Sequence, residues 1–434
     1  MKKNLIKSFA LVCALVFAIS CNNKGTTGPG GGGTTPGGQT KWFLTKEQQK
    51  KAYDQGSKVL WTKGQNGAQF YRIAAINVAN NNTIIAASDK RWNGIGDLPA
   101  KIDVVIKKSY DGGFTWTEEQ IVGTPSTGPN NGHGDPFIIK CPNGDLLIGA
   151  VAGPGWWNAS FDNPGRVVIS RSTDNGETWT DWEDITKYIY GKDSTNPKTT
   201  TEAKKVLRGF GAAGNGAVIK YGTHKNRIMF GMYVETSFSG NKRDSALIVY
   251  SDDNGKTWDT SEVADDNTGN FNEPKVFGLK DGKVMLNIRP KYADRRRIAY
   301  STDGGINFSG YKQHDDLPDK SAANADLARL SCTLDGDDKD RILFINPSGN
   351  TGYTELAVKV SYDEGNTWKT KKILNPGGAA YASIAVAPDG TILTLAEERV
   401  NGQPNPGWNI TFRRFNLAYI TDGADTFGGV ENNK

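Results

Sequence analysis

Histidine and cysteine are scarce, which limits the chemistry that this chain can perform. Its 434 residues include three histidines and four cysteines. The histidines lie at positions 133, 224 and 314 and share no metal-ligand spacing, so we expect neither a metal site nor a cofactor. Outside the N-terminal leader described below only Cys141 and Cys332 remain, and they could form one disulfide or stay as two buried thiols.

The chain also lacks a strong excess of charge of either sign. The chain has 52 Lys and Arg against 47 Asp and Glu, for a net charge of +5, and the two signs are interspersed. The densest basic run, Arg295–Arg297, precedes a predicted strand, and we interpret it as a solvated or site-lining edge. This distribution argues against nucleic-acid binding.

A long apolar run occurs only at the N-terminus. Lysines precede the apolar residues Phe9–Ile19, and Ala18-Ile19-Ser20-Cys21 resembles a bacterial lipoprotein cleavage box. We therefore expect residues 1–21 to be a signal peptide and Cys21 to carry the lipid that anchors the protein in the cell envelope, in the periplasm or at the cell surface. Plain secretion with an incidental Cys21 is the alternative. Residues 22–40 are rich in Gly, Thr and Pro and predict a flexible linker.

Five near-copies of Ser-x-Asp-x-Gly-x-Thr-Trp recur at intervals of 50 to 79 residues: Ser109–Trp116, Ser172–Trp179, Ser251–Trp258, Ser301–Phe308 and Ser361–Trp368. Each copy, here called an Asp box, predicts a hairpin turn. The Asp accepts bonds from backbone amides of its turn, the Gly supplies a positive φ, and the aromatic ring packs beneath. This repeat predicts an all-β fold, a six-bladed β-propeller formed by residues 41–434.

The remaining pattern is almost entirely strand and turn. We predict one short helix, Lys46–Lys58, and a long surface loop, Gly191–Ala203. The predicted strands are Arg72–Val78, Thr83–Ala87, Asp103–Ser109, Leu146–Val151, Val167–Ser172, Ala246–Ser251, Val284–Ile288, Ile298–Ser301, Leu356–Ser361 and Ile392–Leu395.

Several unrepeated polar residues between the Asp boxes are candidates for a functional site. Glu273 precedes one predicted strand and Arg289 ends the next, so both lie at the same end of a sheet. Singly, each candidate also has a purely structural interpretation. Arg72 could pair with a surface carboxylate, Asp97 could be a turn residue, and Tyr381 could belong to the core.

The ordered combination of motifs is more specific than any one of them. The segments YRIAA, SDKRWNGIGD, GDP, NEP, LNIR and AAYASIAVAPDG…AEE, together with the Asp boxes, resemble bacterial exo-α-sialidases (neuraminidases) over roughly residues 65–423. The resemblance implies a retaining hydrolase that releases terminal α-linked sialic acids from glycoconjugates. It also implies a monomer whose partners are sialylated glycans.

The resemblance also implies a role for each candidate. Arg72 and Arg289 would bind the sugar's carboxylate, and Glu397 would hold Arg72. The remaining implied roles are Tyr381 as nucleophile, Glu273 as its base, Asp97 as general acid/base, Arg91 and Asp135 as pocket residues, and Trp156 or Trp157 as the wall around the acyl group.

One position departs from the family pattern. The family supplies a third carboxylate-binding arginine just before the last Asp box, where this chain has Tyr353. One charge-assisted hydrogen bond contributes roughly 1.5–3 kcal/mol. The alternatives are therefore a glycosidase acting on another 2-keto sugar acid, or a carbohydrate-binding propeller without turnover. Survival of Asp97, Glu273 and Tyr381 together favours an enzyme, because a binding protein needs no nucleophile and base.

Overall fold

Strands are the main regular structure in the computed structural model, which describes residues 42–160, 163–190, 206–238, 241–320, 323–399 and 407–428. The predicted signal peptide, Cys21, the linker and the predicted loop Gly191–Ala203 lie outside these ranges. Within them, no helix has the length and apolar character needed to cross a membrane.

The strands alternate with short turns along the whole described chain. Three short helices are α1 (Lys46–Gln49), α2 (Thr186–Tyr190) and α3 (Leu417–Ile420). The strands are β1 (Asp54–Trp61), β2 (Phe70–Val78), β3 (Ile84–Arg91), β4 (Ile102–Ser109), β5 (Gln120–Ile121), β6 (His133–Lys140), β7 (Leu146–Ala152), β8 (Arg166–Ser172), β9 (Glu183–Asp184), β10 (Val206–Gly211), β11 (Gly214–Asn215), β12 (Ala217–Val218), β13 (Ile228–Phe238), β14 (Asn241–Ser251), β15 (Asp259–Thr260), β16 (Pro274–Gly278), β17 (Val284–Ile288), β18 (Arg295–Ser301), β19 (Ser309–Pro318), β20 (Asp326–Ser331), β21 (Arg341–Pro347), β22 (Thr354–Ser361), β23 (Thr370–Val386), β24 (Ile392–Glu398) and β25 (Asn409–Phe415). The prediction of an all-β fold is confirmed.

The strands form sheets in chain order. Four sheets contain β2–β5, β6–β9 with β11, β10 with β12–β15, and β16–β19. A fifth sheet has seven strands in the order β1-β25-β24-β23-β22-β21-β20. The long strand β23 divides it, because residues up to Gly378 pair with β22 whereas residues from Ala379 pair with β24. The described chain therefore forms six consecutive sheet units, and β1 completes the sixth by pairing with β25.

Six large buried apolar clusters lie between consecutive sheet units. Strand β3 shows the cause, because successive side chains of a strand point to opposite faces. Ile84 and Ala86 contribute to a cluster shared with the sixth unit, whereas Ile85 and Ala87 contribute to one shared with the second. Both faces of a sheet unit are thus buried, and the last unit packs against the first.

The Asp boxes adopt the predicted turn. In the second copy, the carboxylate of Asp174 accepts bonds from the Thr178 amide at 2.9 Å and the Ser172 hydroxyl at 2.7 Å. Gly176 has φ +88°, and the Trp179 ring nitrogen donates to the Gly176 carbonyl at 3.2 Å. These bonds close the hairpin locally and use none of the candidate site residues.

A buried polar network links the innermost strands of different sheet units. The carboxylate of Asp326 on β20 accepts bonds from the Asn215 side chain at 2.9 Å and the Ser383 hydroxyl at 2.7 Å. Lys275 Nζ lies 3.3 Å from the same carboxylate, and the Asn77 side chain donates to Asn215 at 3.0 Å. We call these five residues the axial network. It connects β2, β11, β16, β20 and β23.

The structure corrects two predictions, and it decides between the two states left open for the internal cysteines. The predicted helix Lys46–Lys58 is wrong beyond Gln49, because residues from Asp54 onward pair with β25 and this pairing outweighs local helix propensity. Of the two interpretations of Arg295–Arg297, a solvated or a site-lining edge, the solvated one is wrong for Arg296. The run begins β18, and Arg296 is fully buried in an ion pair with Asp319 at 2.7 Å. Cys141 and Cys332 are both buried free thiols.

We predict that Asp326→Ala lowers the free energy of unfolding by about 3–5 kcal/mol, since it leaves the buried Lys275 ammonium without its counter-ion. Asp315→Ala is the matched control. Its side chain is 93% exposed, and its carboxylate lies 3.6 Å from Arg295 Nε. Because an exposed ion pair contributes little, its removal should lower the free energy of unfolding by less than about 1 kcal/mol. Urea unfolding of both variants tests this, and equal stability of the two variants would contradict it.

Candidate active site

Arg72 and Glu397 meet at the same end of the sheet units. Arg72 Nε lies 2.6 Å from Glu397 Oε1 and Nη2 lies 3.2 Å from Oε2, a bidentate pair. The carboxylate of Glu397 is fully buried, and it also accepts the backbone amides of Ile73 at 2.6 Å and Tyr381 at 3.3 Å. One carboxylate therefore positions an arginine and the backbone of Tyr381.

The backbone around Arg72 is strained. Ile73 has φ +60°, which is unfavourable for a β-branched residue, and the pairing of β2 with β3 is irregular between Arg72 and Ala74. A bulge of this kind redirects the neighbouring side chain. The hydrogen bond from the Ile73 backbone amide to Glu397 offsets part of this strain. It also keeps Arg72 directed towards the same carboxylate.

Tyr381, Glu273 and Arg289 form a second group at this end. The Tyr381 hydroxyl donates a short hydrogen bond to Glu273 Oε1, and Arg289 Nη1 contacts Glu273 Oε2. Arg289 Nη1 also lies 2.9 Å from the Tyr381 hydroxyl. Glu273 immediately precedes β16 and Arg289 follows β17, so the pairing of Pro274 with Ile288 places them side by side.

Burial governs the protonation of Tyr381. Removal from water raises the pKa of its phenol well above the ordinary value, and the charge of Glu273 raises this pKa further. Arg289 opposes both effects. The phenol is therefore protonated at neutral pH, next to a carboxylate that can accept its proton and a guanidinium that can stabilise the resulting phenolate.

Asp97 lies on the loop between β3 and β4 and is 62% exposed. Its carboxylate contacts Arg91 Nη1 at 2.8 Å. The guanidinium of Arg91 is buried and also contacts Asp89 at 2.8 Å, while Asp89 accepts the Asp135 amide at 2.9 Å. Arg91 thus joins the exposed Asp97 to the buried carboxylate of Asp89.

Asp89 and Asp135 are joined by the hydrogen bond from the Asp135 backbone amide to the Asp89 carboxylate. Burial raises the pKa of Asp89 to about 6 against the opposing charge of Arg91. Burial and the Asp89 charge also raise the pKa of Asp135, whose backbone has φ +55°. Gly134 permits this approach, because a Cβ there would lie 3.3 Å from Asp89 Oδ2.

The two tryptophans named from the sequence are not equivalent. Trp156 is stacked on Tyr233 at 4.3 Å, and the Arg208 guanidinium lies 4.4 Å from its ring. Trp157 is 73% exposed. Both follow β7 at the end of the second unit that also carries Asp135, but no contact joins either ring to the Tyr381 group among the described residues.

Tyr353 lies beside the Tyr381 group. Its phenol is close enough to influence the pKa values of both Arg289 and Tyr381. Its ring packs edge-on against Trp408 at 6.1 Å, and Arg399 covers the far side of the same tryptophan at 4.7 Å. Tyr353 therefore places a phenol beside the Tyr381 group, in the segment where the resemblance implies a cation.

Sequence reasoning missed Asp89 and the axial network. Asp89 lies in the segment SDKRWNGIGD, but the resemblance implies a role only for Arg91 and Asp97 of that segment. Lys275, Asp326 and Ser383 interrupt apolar strand patterns, and polar residues buried in such strands are the signal that could have found them.

The arrangement is equipped to bind an anion. Glu397 uses Nε and Nη2 of Arg72, which leaves Nη1 without a partner among the described residues. Arg289 Nε is buried and likewise unpartnered within the described ranges. The described residues contain no cluster of His, Cys, Asp and Glu that could hold a metal ion.

Comparison with known proteins agrees with this geometry. The family model for the BNR repeat-like domain matches residues 91–394, more than half of the chain. The chain belongs to the BNR repeat-like family. This match begins at Arg91 and includes all five Asp boxes, whereas strands β1, β2 and β25 lie outside it.

Individual relatives of this BNR repeat-like chain are sialidases. A sialidase of Micromonospora viridifaciens is 29% identical over 426 residues, covering 95% of this chain and 60% of the relative. A sialidase of Bacteroides fragilis is 27% identical over 359 residues, covering 78% of this chain and 61% of the relative. The chain thus spans about three-fifths of the length of these relatives. The predicted resemblance to bacterial exo-sialidases is confirmed.

Solved structures show the same fold. A Hadza microbial sialidase superposes with a TM-score of 0.68 at 23% identity, covering 83% of this chain and 68% of the other. An intramolecular trans-sialidase from Ruminococcus gnavus, solved with oseltamivir carboxylate, gives a TM-score of 0.69 at 18% identity and covers 85% and 99%. At these identities the likeness concerns the fold.

Proposed function

We propose that this protein is a retaining exo-sialidase that hydrolyses terminal α-linked sialic acids of glycoconjugates through a tyrosine nucleophile. The observation that carries the proposal is the hydrogen bond from the Tyr381 hydroxyl to Glu273, with Arg289 bonded to both. A nucleophile beside its base is costly for a protein that only binds, because it buries charge near a phenol.

The chemistry of sialic acid explains the choice of nucleophile. Its carboxylate is attached to the anomeric carbon, so a carboxylate nucleophile would approach against like charge. The neutral Tyr381 phenol avoids this repulsion. As the phenol oxygen attacks, Glu273 accepts its proton, and Arg289 stabilises the negative charge that develops. Tyrosine nucleophiles are a recognised exception to the scheme with two carboxylates.

Arg72 and Arg289 are proposed to bind the substrate carboxylate. Both keep a donor nitrogen free, and Glu397 fixes the orientation of Arg72 before substrate arrives. Guanidinium groups match the two oxygens of a carboxylate in a way that lysine does not. Fixing the arginines in advance lowers the entropic cost of binding.

Asp97 is proposed as the general acid and base. Its exposed side chain lies on the loop between β3 and β4, from which it can donate a proton to the leaving glycosidic oxygen as the Tyr381 oxygen bonds to the anomeric carbon. Arg91 holds the loop, Asp135 lines the pocket, and Trp156 or Trp157 bounds the acyl group. After glycosylation of Tyr381, the deprotonated Asp97 activates water for the second displacement, with net retention.

Three further proposals concern architecture, location and assembly. We propose that the six sheet units close into a six-bladed propeller formed by residues 41–434. The supporting features are the shared strand β23, the pairing of β1 with β25 and the six inter-unit clusters. From the sequence we also propose a monomer that binds no nucleic acid and is anchored in the cell envelope through Cys21.

Tyr381→Phe is expected to abolish release of the fluorophore from a fluorogenic α-sialoside, because the variant lacks the attacking oxygen. We expect the rate to fall at least ~1,000-fold with little loss of stability. Tyr353→Phe is the matched control, since it removes a nearby phenol that performs no bond-making step. Wild-type protein that binds free sialic acid but releases no fluorophore would support the carbohydrate-binding alternative instead.

Tyr353→Arg is expected to restore the missing cation. If the substrate is sialic acid, kcat/KM for the α-sialoside should rise roughly tenfold or more, the equivalent of one charge-assisted bond. Tyr353→Lys should gain less, because it lacks the planar fork. A folded arginine variant with lower activity on sialosides, together with wild-type activity on another 2-keto sugar acid, would show that Tyr353 selects a different acidic sugar.

A further inference from the structure

A second cavity lies at the opposite ends of the strands that carry the candidate active site. It has a volume of about 550 Å³, which is in the range of small-molecule sites. Asn77 lines it from the far end of β2, about five residues and roughly 16 Å beyond Arg72. Phe277 lines it from the far end of β16, which begins beside Glu273. We call this cavity the rear pocket.

The rear pocket is separated from the candidate active site by the axial network. Asp326 and Asn215 form part of its wall, and their side chains are bonded to each other and to Lys275 or Ser383. These groups are already satisfied. They form a fixed polar wall, so a ligand of the rear pocket must be held by other side chains.

Two lysines of the rear pocket, the half-buried Lys140 and the exposed Lys225, have no carboxylate partner among the described residues. Lys220 pairs with Asp335 at 2.6 Å, and Arg329 pairs with Glu364 at 2.7 Å. Lys140 and Lys225 also line the cavity, but neither contacts a carboxylate among the described residues. Lys140 is half-buried at the end of β6, and its pKa is lowered by burial alone. An anion beside Lys140 would replace the favourable interactions with water that the ammonium group loses on burial.

The remaining lining provides both hydrogen bonds and apolar surface. The side-chain amides of Asn80 and Asn226 line the cavity and make no hydrogen bond to other described residues. Val276 and Ile384 supply apolar walls. Free amides, apolar walls and two unpaired ammonium groups match a compact molecule with hydroxyls, C–H faces and one negative group.

We propose that the rear pocket binds a sugar-sized organic anion, with its carboxylate or phosphate on Lys140 and Lys225 and its hydroxyls on Asn80 and Asn226. This site is distinct from the candidate active site. The proposal does not require the protein to be a sialidase.

Calorimetric titration of the full chain with glucuronate, glucose 6-phosphate and glucose tests the proposal. At least one of the two anions should bind saturably at ~1 mM or below, and glucose should bind at least tenfold more weakly. Binding by glucuronate alone identifies a carboxylate ligand, and binding by glucose 6-phosphate alone identifies a phosphate ligand. Either result supports the site. Absence of saturation by both anions up to ~10 mM overturns it.

Variants locate the binding. Lys140→Gln should weaken the affinity for the anion about tenfold or more. The affinity of Lys140→Arg should stay within about threefold of the wild type, because the charge remains. Lys256→Gln is the matched control, since Lys256 is exposed and does not line the rear pocket. Arg72→Ala should leave binding unchanged. If Arg72→Ala abolishes binding and Lys140→Gln does not, the anion occupies the candidate active site and the proposal is wrong.

Discussion

The Asp326 carboxylate is the interaction on which the rest of the structure depends. It is fully buried and binds side chains from two other innermost strands while facing the ammonium of Lys275. The apolar clusters between sheet units are non-directional and would tolerate sliding of one unit against the next. Directional bonds at the centre fix the relative height of the units, because each bond requires a particular register of its strands.

That register positions the chemistry. Glu273 and Lys275 are two residues apart at the start of β16, and Tyr381 and Ser383 are two residues apart on β23. Side chains at this spacing share one face of a strand, so Glu273 and Tyr381 lie one step above the axial network and meet each other. Glu273 and Tyr381 are thus supported from below by the axial network. Glu397 and the bulge at Ile73 supply the equivalent support for Arg72.

The sequence predicts the repeated part of the fold well, and the reason is physical. An Asp box is a local structure whose bonds form within about five residues, so Asp174 and Gly176 indicate their turn without help from distant strands. Contacts that join distant strands were not predictable from propensity. The helix expected through Lys58 became strand β1 because β25 offered a partner, and Arg296 was misjudged because its partner Asp319 lies on another element. The candidate site residues were named through resemblance, whereas Asp89 required the structure.

Two tyrosines are the distinguishing residues of the candidate active site. Tyr381 is held as a neutral phenol between a base and a guanidinium, and Tyr353 replaces a cation that the family pattern places nearby. We propose that the first performs the covalent chemistry and that the second affects which acidic sugar is preferred. The central claim is that the Tyr381 oxygen becomes glycosylated. Incubation with 2,3-difluorosialic acid tests this most directly, because fluorine slows breakdown of a glycosyl-enzyme, and peptide mass spectrometry then locates the sugar. The account predicts one adduct on Tyr381, whereas turnover with an adduct on any other residue would contradict it.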